Sequence, residues 1–390
     1  MNAVAKIPGR SGAVGAKSRL EIWVRSGGRC EFEGCNCELL GEELSGRRGV
    51  NKALVAHIVA AAADGPRGDP VRSSLLVNDP ENLMLLCHAH HRLVDDEHPT
   101  EYPEARLKAM KAAHEARIRI VTAIQPDRAT QLLYYAAKVG QHDCLVTDAL
   151  AFGAVLPDRY PKDGRAISLG LGETPISDVE SAFWDYQVQH LRRQFAARVS
   201  ERRGAGEVGH LSVFAVAPQP LLMELGRLLG DLGDVEVRQL SREPKGWAWR
   251  PGGPPMSLDV TPPPESQTGR RVALKLALSA EVTDVRIREV LGADAPIWSI
   301  AARRPHNDIL HRADCLAAFR AQMRDVFNRI KARHGEDAEI HIFPAVPVAV
   351  AVEVGRVWMP KADLPLVIYD SVRGGGGFVA RHGIGEKPPP

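Results

Sequence analysis

The stretch Asn82-Leu83-Met84-Leu85-Leu86-Cys87-His88-Ala89-His90-His91 decides how the first third of the chain is read. It falls in a compact turn–helix segment, Glu81–Glu97, and places one thiol and three imidazoles within the run Cys87–His91. Working outward, a second cluster of soft donors lies upstream at Cys30-x4-Cys35. Cys30, Cys35, Cys87 and His90 then make two pairs at the spacing that a tetrahedral structural zinc site uses. Cys37 can replace Cys35, because only one residue separates them. The segment 29–91 is rich in turns and poor in apolar residues, so a metal tie would supply folding energy that burial does not. Two histidines are left over. His57 follows the apolar residues of a short strand, Leu54–Val59, and His91 comes directly after the expected ligand His90.

The 390 residues carry 50 Lys+Arg against 48 Asp+Glu, a formal net charge of +2. That length suggests two or three domains, each able to bury a core. With 44% hydrophobic and 25% charged residues, wholesale disorder is excluded. Six cysteines are too few for a disulfide scaffold, and their clustering beside histidines points to a metal in a reducing compartment. No apolar run approaches the roughly 18 residues of a membrane helix. The opening Met1–Lys17 has no secretory hydrophobic stretch, so the expected location is cytoplasmic. Near-neutral charge means that any binding of nucleic acid must come from a local site.

Residues 1–17 read as a flexible lead-in and 18–125 as the first domain, with helices at Lys17–Ser26 and Tyr102–Ile120 and a boundary at Gln125-Pro126-Asp127. From 126 to 375 the texture becomes alternating strands and helices, which predicts a parallel α/β sheet. Expected strands include His210–Ala217, Val235–Leu240, Arg271–Ser279, Pro296–Ala301, Glu339–Phe343 and Pro365–Tyr369. A Pro/Gly-rich loop, Arg250–Ser266, separates two such units, although no letter-by-letter repeat is legible between them. Residues 376–390 read as a flexible tail, and Cys144 and Cys315 as solitary buried residues. Neither GxGxxG nor GxxxxGK[ST] occurs at a strand–helix turn, which argues against a dinucleotide oxidoreductase and an NTPase.

Taken in order, His57, Asn82 and His91 on a zinc-tied frame resemble an HNH endonuclease, a ββα-metal fold, over about Ser18–Arg119. The resemblance implies His57 as general base, Asn82 as the residue that holds the loop and orients that base, and His91 as ligand of one catalytic Mg²⁺ or similar divalent cation. Hydrolysis of a phosphodiester needs these parts: a deprotonated water and a cation for the charge that builds on the phosphate. Many HNH sequences carry an acidic ligand directly before the base, where this chain has Ala56. The expected outcome is either an ion on His91, water and another carboxylate such as Asp64 or Asp69, or an ion that binds weakly, and Arg67 in the same loop is expected to clamp a phosphate. Sequence specificity is expected to be low, since no base-reading helix stands out.

The second domain carries a different resemblance. Phe183–Leu191, the Trp247-Ala248-Trp249 loop, Pro296–Ile300 and Ile340–Asp370 look like a SAVED domain, which is similar to two fused CARF-type Rossmann-like halves and binds cyclic oligonucleotides. In an open α/β sheet ligands bind beyond the carboxyl ends of the strands. The residues expected there are Gln219, Ser279, Ser299, Pro344, Ala345 and Tyr369, with Trp247, Trp249 and Trp298 as base-stacking faces and Arg250, Arg303 or Lys361 as phosphate partners. The order of domains resembles the HNH–SAVED effectors of cyclic-oligonucleotide antiphage (CBASS) systems. It implies degradation of double-stranded DNA switched on by a cyclic di- or trinucleotide, through a homo-oligomer formed or rearranged on binding. Two other readings remain: a constitutively active restriction-type HNH enzyme, and a non-catalytic zinc-containing nucleotide sensor.

Overall fold

Between Gln125 and Pro126 the chain passes from one compact unit to another. The structure is a computed structural model, and it describes residues 14–41, 49–139, 146–170, 176–230, 232–372 and 377–385. Residues 1–13 of the expected lead-in, Cys144, and residues 386–390 of the expected tail lie outside the described residues.

The first unit runs α1 (Ala16–Arg25), β1 (Leu40–Gly41), β2 (Val50–Asn51), β3 (Ala53–His57), α2 (Arg72–Leu76), β4 (Leu83–Cys87), α3 (His88–Arg92) and α4 (Glu104–Thr122). β3 and β4 pair antiparallel, from Ala53 opposite Cys87 to His57 opposite Leu83. The turn–helix expectation for Glu81–Glu97 is corrected in its first half. Leu83–Leu86 is a buried strand, and the helix begins at His88. A short apolar run has no periodicity by which to tell the two apart, and here pairing with β3 decides. A five-residue π turn, Leu93–Glu97, follows α3. Ile22, Leu107 and Met110 close over the buried face of β4 and form one core with it.

The second unit begins with β5 (Ala129–Ala136), α5 (Asp148–Val155), β6 (Tyr160–Pro161), β7 (Ile167–Ser168), α6 (Ser181–Phe195), α7 (Glu201–Gly204), β8 (Leu211–Val216), α8 (Gln219–Leu229) and β9 (Val235–Arg238). Its first sheet is parallel in the order β6-β5-β8-β9, with β7 also on β5. There follow β10 (Leu258–Thr261), β11 (Arg271–Ala277), α9 (Asp284–Leu291), β12 (Ile297–Ala302), α10 (Ala313–His334), β13 (Glu339–Ala345), α11 (Val348–Val357), β14 (Leu366–Ser371) and β15 (Phe378–Ile384). The second sheet has the order β10-β12-β11-β13-β14-β15. Its four inner strands are parallel, while β10 and β15 are antiparallel edges. Both edges correct the sequence reading. β10 lies inside the expected loop Arg250–Ser266, and β15 inside the expected tail. Cys315 is buried, as read from the sequence.

The two sheets are joined through α8 and α11. A Cβ added at Gly226 would stand 1.9 Å from the Val352 carbonyl oxygen, and one at Gly355 the same 1.9 Å from that of Met223. Each glycine therefore admits the other helix's backbone, and no larger residue can. This mutual contact uncovers a repeat that sequence inspection missed. Phe214-Ala-Val-Ala-Pro218 leading to Glu224-Leu-Gly226-Arg227 matches Phe343-Pro-Ala-Val-Pro347 leading to Glu353-Val-Gly355-Arg356 without a gap. Five identities in fourteen positions are thinly spread among interchangeable apolar residues, which hid them. Glu224 and Glu353 are both fully buried, and each is held by the arginine three residues on.

Candidate metal centre and histidine site

Strand pairing brings the two donor pairs together. Cys87 ends β4, and its backbone N–H donates to the Cys30 sulfur at 3.3 Å. α3 then turns His90 back, with Nδ1 3.1 Å from the Cys87 Sγ and 3.7 Å from that of Cys30. The donor atoms of Cys30, Cys35, Cys87 and His90 all lie within 4.8 Å of one another, a set that could hold a metal ion. Cys35 belongs to it; Cys37, the alternative, is exposed and outside the cluster. Three thiols and one imidazole suit tetrahedral zinc, whose bonds of about 2.0–2.3 Å place ligands at such separations. Phe32 stacks on the His90 ring at 4.1 Å between centroids and fixes its plane. Burial lowers the His90 pKa, which favours the neutral imidazole that a metal requires. Burial also pushes the Cys30 thiol far up, so metal uptake there must displace a proton.

His57 lies at the end of β3, half-buried. Its Nε2 is 3.1 Å from the Val77 carbonyl, which only accepts, so Nε2 carries the proton and Nδ1 has a free lone pair. Asn82 is buried and works on the same loop. Its amide donates to the carbonyls of Val59 at 2.9 Å and Leu76 at 3.2 Å, while its Oδ1 accepts from the Val59 N–H at 2.8 Å. It thus ties the end of β3 to the segment that holds the His57 ring.

Arg67 departs from expectation. Its Nε donates to the Ile58 carbonyl at 2.7 Å and one terminal nitrogen to the Val94 carbonyl at 2.8 Å. The other meets Asp95 Oδ1 at 2.5 Å and approaches the His57 carbonyl at 3.5 Å. The side chain is only 9% exposed. A guanidinium committed in this way is an internal brace and is not free to clamp a phosphate bidentately. Asp69 Oδ1 accepts from the Val71 and Arg72 N–H groups at 2.9 and 2.8 Å just before α2. Asp64 is exposed in the loop.

The carboxylate that stands at His91 is Asp95, which sequence reading missed. Its Oδ2 lies 3.6 Å from His91 Nε2, while Oδ1 holds Arg67. The signal was available: a residue four positions on shares a helix face. A continuous chain of contacts therefore runs from the His57 carbonyl through Arg67 and Asp95 to His91.

In the second unit the carboxyl ends of β8 and β13 converge. The Val346 N–H donates to Gln219 Oε1 at 3.3 Å, and that of Ala349 to Gln239 Oε1 at 3.1 Å. Ser279 N–H donates to the Ala345 carbonyl at 2.7 Å. The structure thus gathers Gln219, Ser279, Pro344 and Ala345 beside the starts of α8 and α11, where helix dipoles favour anions. The Arg250 N–H bonds the His311 carbonyl at 2.9 Å, and the Arg242 N–H bonds Asp308 at 3.0 Å, which places the 239–250 loop on the loop beyond β12.

The aromatic faces are corrected. Trp247 is buried against Phe214, and Trp298 is buried with its N–H on His334 Nε2 at 3.1 Å. Trp249 donates to Glu236 at 3.1 Å. Tyr369 stacks on Phe343 at 4.4 Å inside the core, with its hydroxyl 3.0 Å from His341 Nδ1. Ser299 and Trp298 fall inside β12, which ends at Ala302, just before Arg303. Lys361 follows α11 and precedes β14, so it sits at the amino ends of the strands, away from the expected ligand end. Trp247, Trp298 and Tyr369 serve the core, and Trp249 packs half-buried against it.

Residues 191–384 match the family model of the SMODS-associated and fused to various effectors sensor domain, SAVED. The second unit therefore contains a SAVED domain, and β15 lies within it. Similar solved structures include the Acinetobacter baumannii Cap4 SAVED/CARF-domain containing receptor with the cyclic trinucleotide 3'3'3'-cAAA, at TM-score 0.43 and 13% identity, covering 72% of this chain and 62% of that one. The same receptor with 2'3'3'-cAAA gives TM-score 0.43 and 11% identity, covering 80% and 66%. The Moraxella osloensis Cap4 receptor gives TM-score 0.40 and 13% identity, covering 72% and 60%. This chain spans less than two thirds of the length of each. No curated protein matches it in sequence. No helix among the described residues is long and apolar enough to cross a membrane.

Proposed function

We propose that this chain is a cytoplasmic antiphage effector of the CBASS type. In it a metal-dependent HNH endonuclease unit cuts double-stranded DNA when a cyclic oligonucleotide occupies the SAVED domain. The observation that carries the nuclease half is the contact chain from His57 through Arg67 and Asp95 to His91, built beside a four-donor metal cluster. A purely structural zinc module has no need of a second histidine pair held in register.

His57 takes the proton of the attacking water at Nδ1, while the Nε2–H contact to Val77 keeps the ring aimed. Asn82 holds that loop still. Cys30, Cys35, Cys87 and His90 would hold a structural zinc, which would tie the strand pair to the segment before it. His91 and Asp95 supply one nitrogen and one oxygen suited to a divalent cation such as Mg²⁺. That ion, when bound, offsets the charge developing on the phosphate and the leaving oxygen. Arg67 neutralises the Asp95 oxygen turned away from His91 and so fixes which one is turned toward His91.

The sensor half rests on the SAVED match and on the two helix starts that converge beside Gln219 and Val346. A cyclic oligonucleotide can switch the enzyme only if it binds the active assembly more tightly than the resting one. His57→Ala tests the reading directly. It is expected to abolish cleavage of plasmid DNA while leaving metal content and cyclic-oligonucleotide binding unchanged. Cleavage that survives the substitution removes His57 from the base role.

A further inference from the structure

Cys37 is the soft donor that the metal centre leaves over. The thiols of Cys30, Cys35, Cys37 and Cys87 and the His90 imidazole offer one donor more than a tetrahedral ion takes, and the mutual cluster includes all of them but Cys37. The chain nevertheless folds Cys37 back onto that cluster. Gly34 and Asn36 stand at φ +78° and +55°, in the left-handed region that glycine and asparagine tolerate best. The turn they make opens with the Cys35 N–H on the Phe32 carbonyl at 3.1 Å, and it returns the Cys37 carbonyl to the Cys30 N–H at 3.0 Å.

The sulfurs then divide into one acceptor and its donors. Cys35 Sγ accepts from the Cys37 backbone N–H and from the thiols of Cys37, Cys30 and Cys87. It is therefore the place in the group for a thiolate. The Cys37 thiol is a donor, shared between the Cys35 and Cys87 sulfurs. Cys30 is buried and Cys35 and Cys87 are half-buried, whereas Cys37 is exposed. A thiolate is the form that attacks a peroxide, and the sulfenic acid it becomes is captured by a thiol already in contact with it.

We propose that Cys35 and Cys37 form an oxidation site on the metal centre, with Cys35 as the sulfur that meets hydrogen peroxide and Cys37 as the thiol that resolves it. The inference rests on the metal reading of Cys30, Cys35, Cys87 and His90. The Cys35 thiolate attacks one peroxide oxygen, the O–O bond breaks, and with a proton from solvent the products are Cys35 sulfenic acid and water. The Cys37 sulfur then attacks the Cys35 sulfur, the S–O bond breaks, and the hydroxyl leaves with the Cys37 proton as a second water. Two electrons have passed from the sulfur pair to the peroxide. The disulfide withdraws Cys35 from the donor set, so the metal is released, and reduction by a small dithiol restores the site.

The test oxidises the full chain with hydrogen peroxide and follows it in two ways: peptide mapping by mass spectrometry without reduction, and metal release to a chromogenic chelator. A Cys35–Cys37 disulfide is expected to appear in step with zinc release, and dithiothreitol with added zinc is expected to reverse both. Cys37→Ser keeps all four donors. In that variant Cys35 is expected to pass on to the sulfinic acid, and the recovery of zinc binding on reduction is expected to be lost. Metal analysis before oxidation separates two failures: protein isolated without zinc counts against the metal reading, and the disulfide map then decides the proposal alone. Absence of a Cys35–Cys37 disulfide from the oxidised native chain, or recovery in Cys37→Ser equal to that of the native chain, overturns the proposal.

Discussion

Arg67 sits at φ +54°, in the left-handed region that a side chain of its size seldom adopts, and its guanidinium is shared among three backbone carbonyls and Asp95. Strain of this kind persists where the surroundings over-determine it, and it concentrates at functional sites. The carboxylate it holds is the residue-scale test. Asp95→Asn keeps the shape but removes the charge that faces His91. Loss of such a supporting group is expected to lower the cleavage rate about 10- to 100-fold and to raise the Mg²⁺ concentration needed for half-maximal rate. An unchanged Mg²⁺ dependence would take Asp95 out of the metal's neighbourhood. Asn82 was legible from its place in the NLMLLCHAHH run, and its bonds to Val59 and Leu76 are those of a loop-holding residue. Arg67 was misread because a loop arginine flanked by glycine and proline carries no mark of burial. Only the three-dimensional path of residues 58 and 94 reveals its partners.

Among the elements, the end of β4, α3 and the segment that holds Cys30 and Cys35 meet at the four soft donors, beside the apolar core that β4 shares with α1 and α4. Cys87→Ser is therefore expected to release the metal and unfold the first unit while the second unit keeps its own thermal transition. Metal analysis with calorimetry checks this, and a folded, metal-free variant would contradict it. In the second unit the crossing of α8 and α11 is the corresponding weak point. Gly226→Ala would drive a methyl group onto the Val352 carbonyl, and helix separation at that crossing is expected to cost about 3 kcal/mol, read by chemical denaturation. A neutral outcome would mean that the two helices can part freely. The parallel strands were legible because buried strands read as continuous apolar runs. The edges were not. β10 and β15 are short or polar on one face, and nothing in their composition separates them from loop or tail. The tryptophans misled for a related reason: an aromatic residue offers the same signal to a ligand as to a core.

For the molecule as a whole, a nuclease that must not attack its own cell's DNA needs a switch, and the chain couples a candidate catalytic unit to a SAVED domain. A constitutively active enzyme and a non-catalytic sensor differ from this account in what they do without ligand and with it. The most direct measurement is plasmid cleavage by the purified full-length chain with Mg²⁺, against a panel of cyclic di- and trinucleotides and a control without nucleotide. The account predicts degradation with one cyclic oligonucleotide and none in the control. Equal cleavage with and without nucleotide, or saturable nucleotide binding with no cleavage at all, would contradict it.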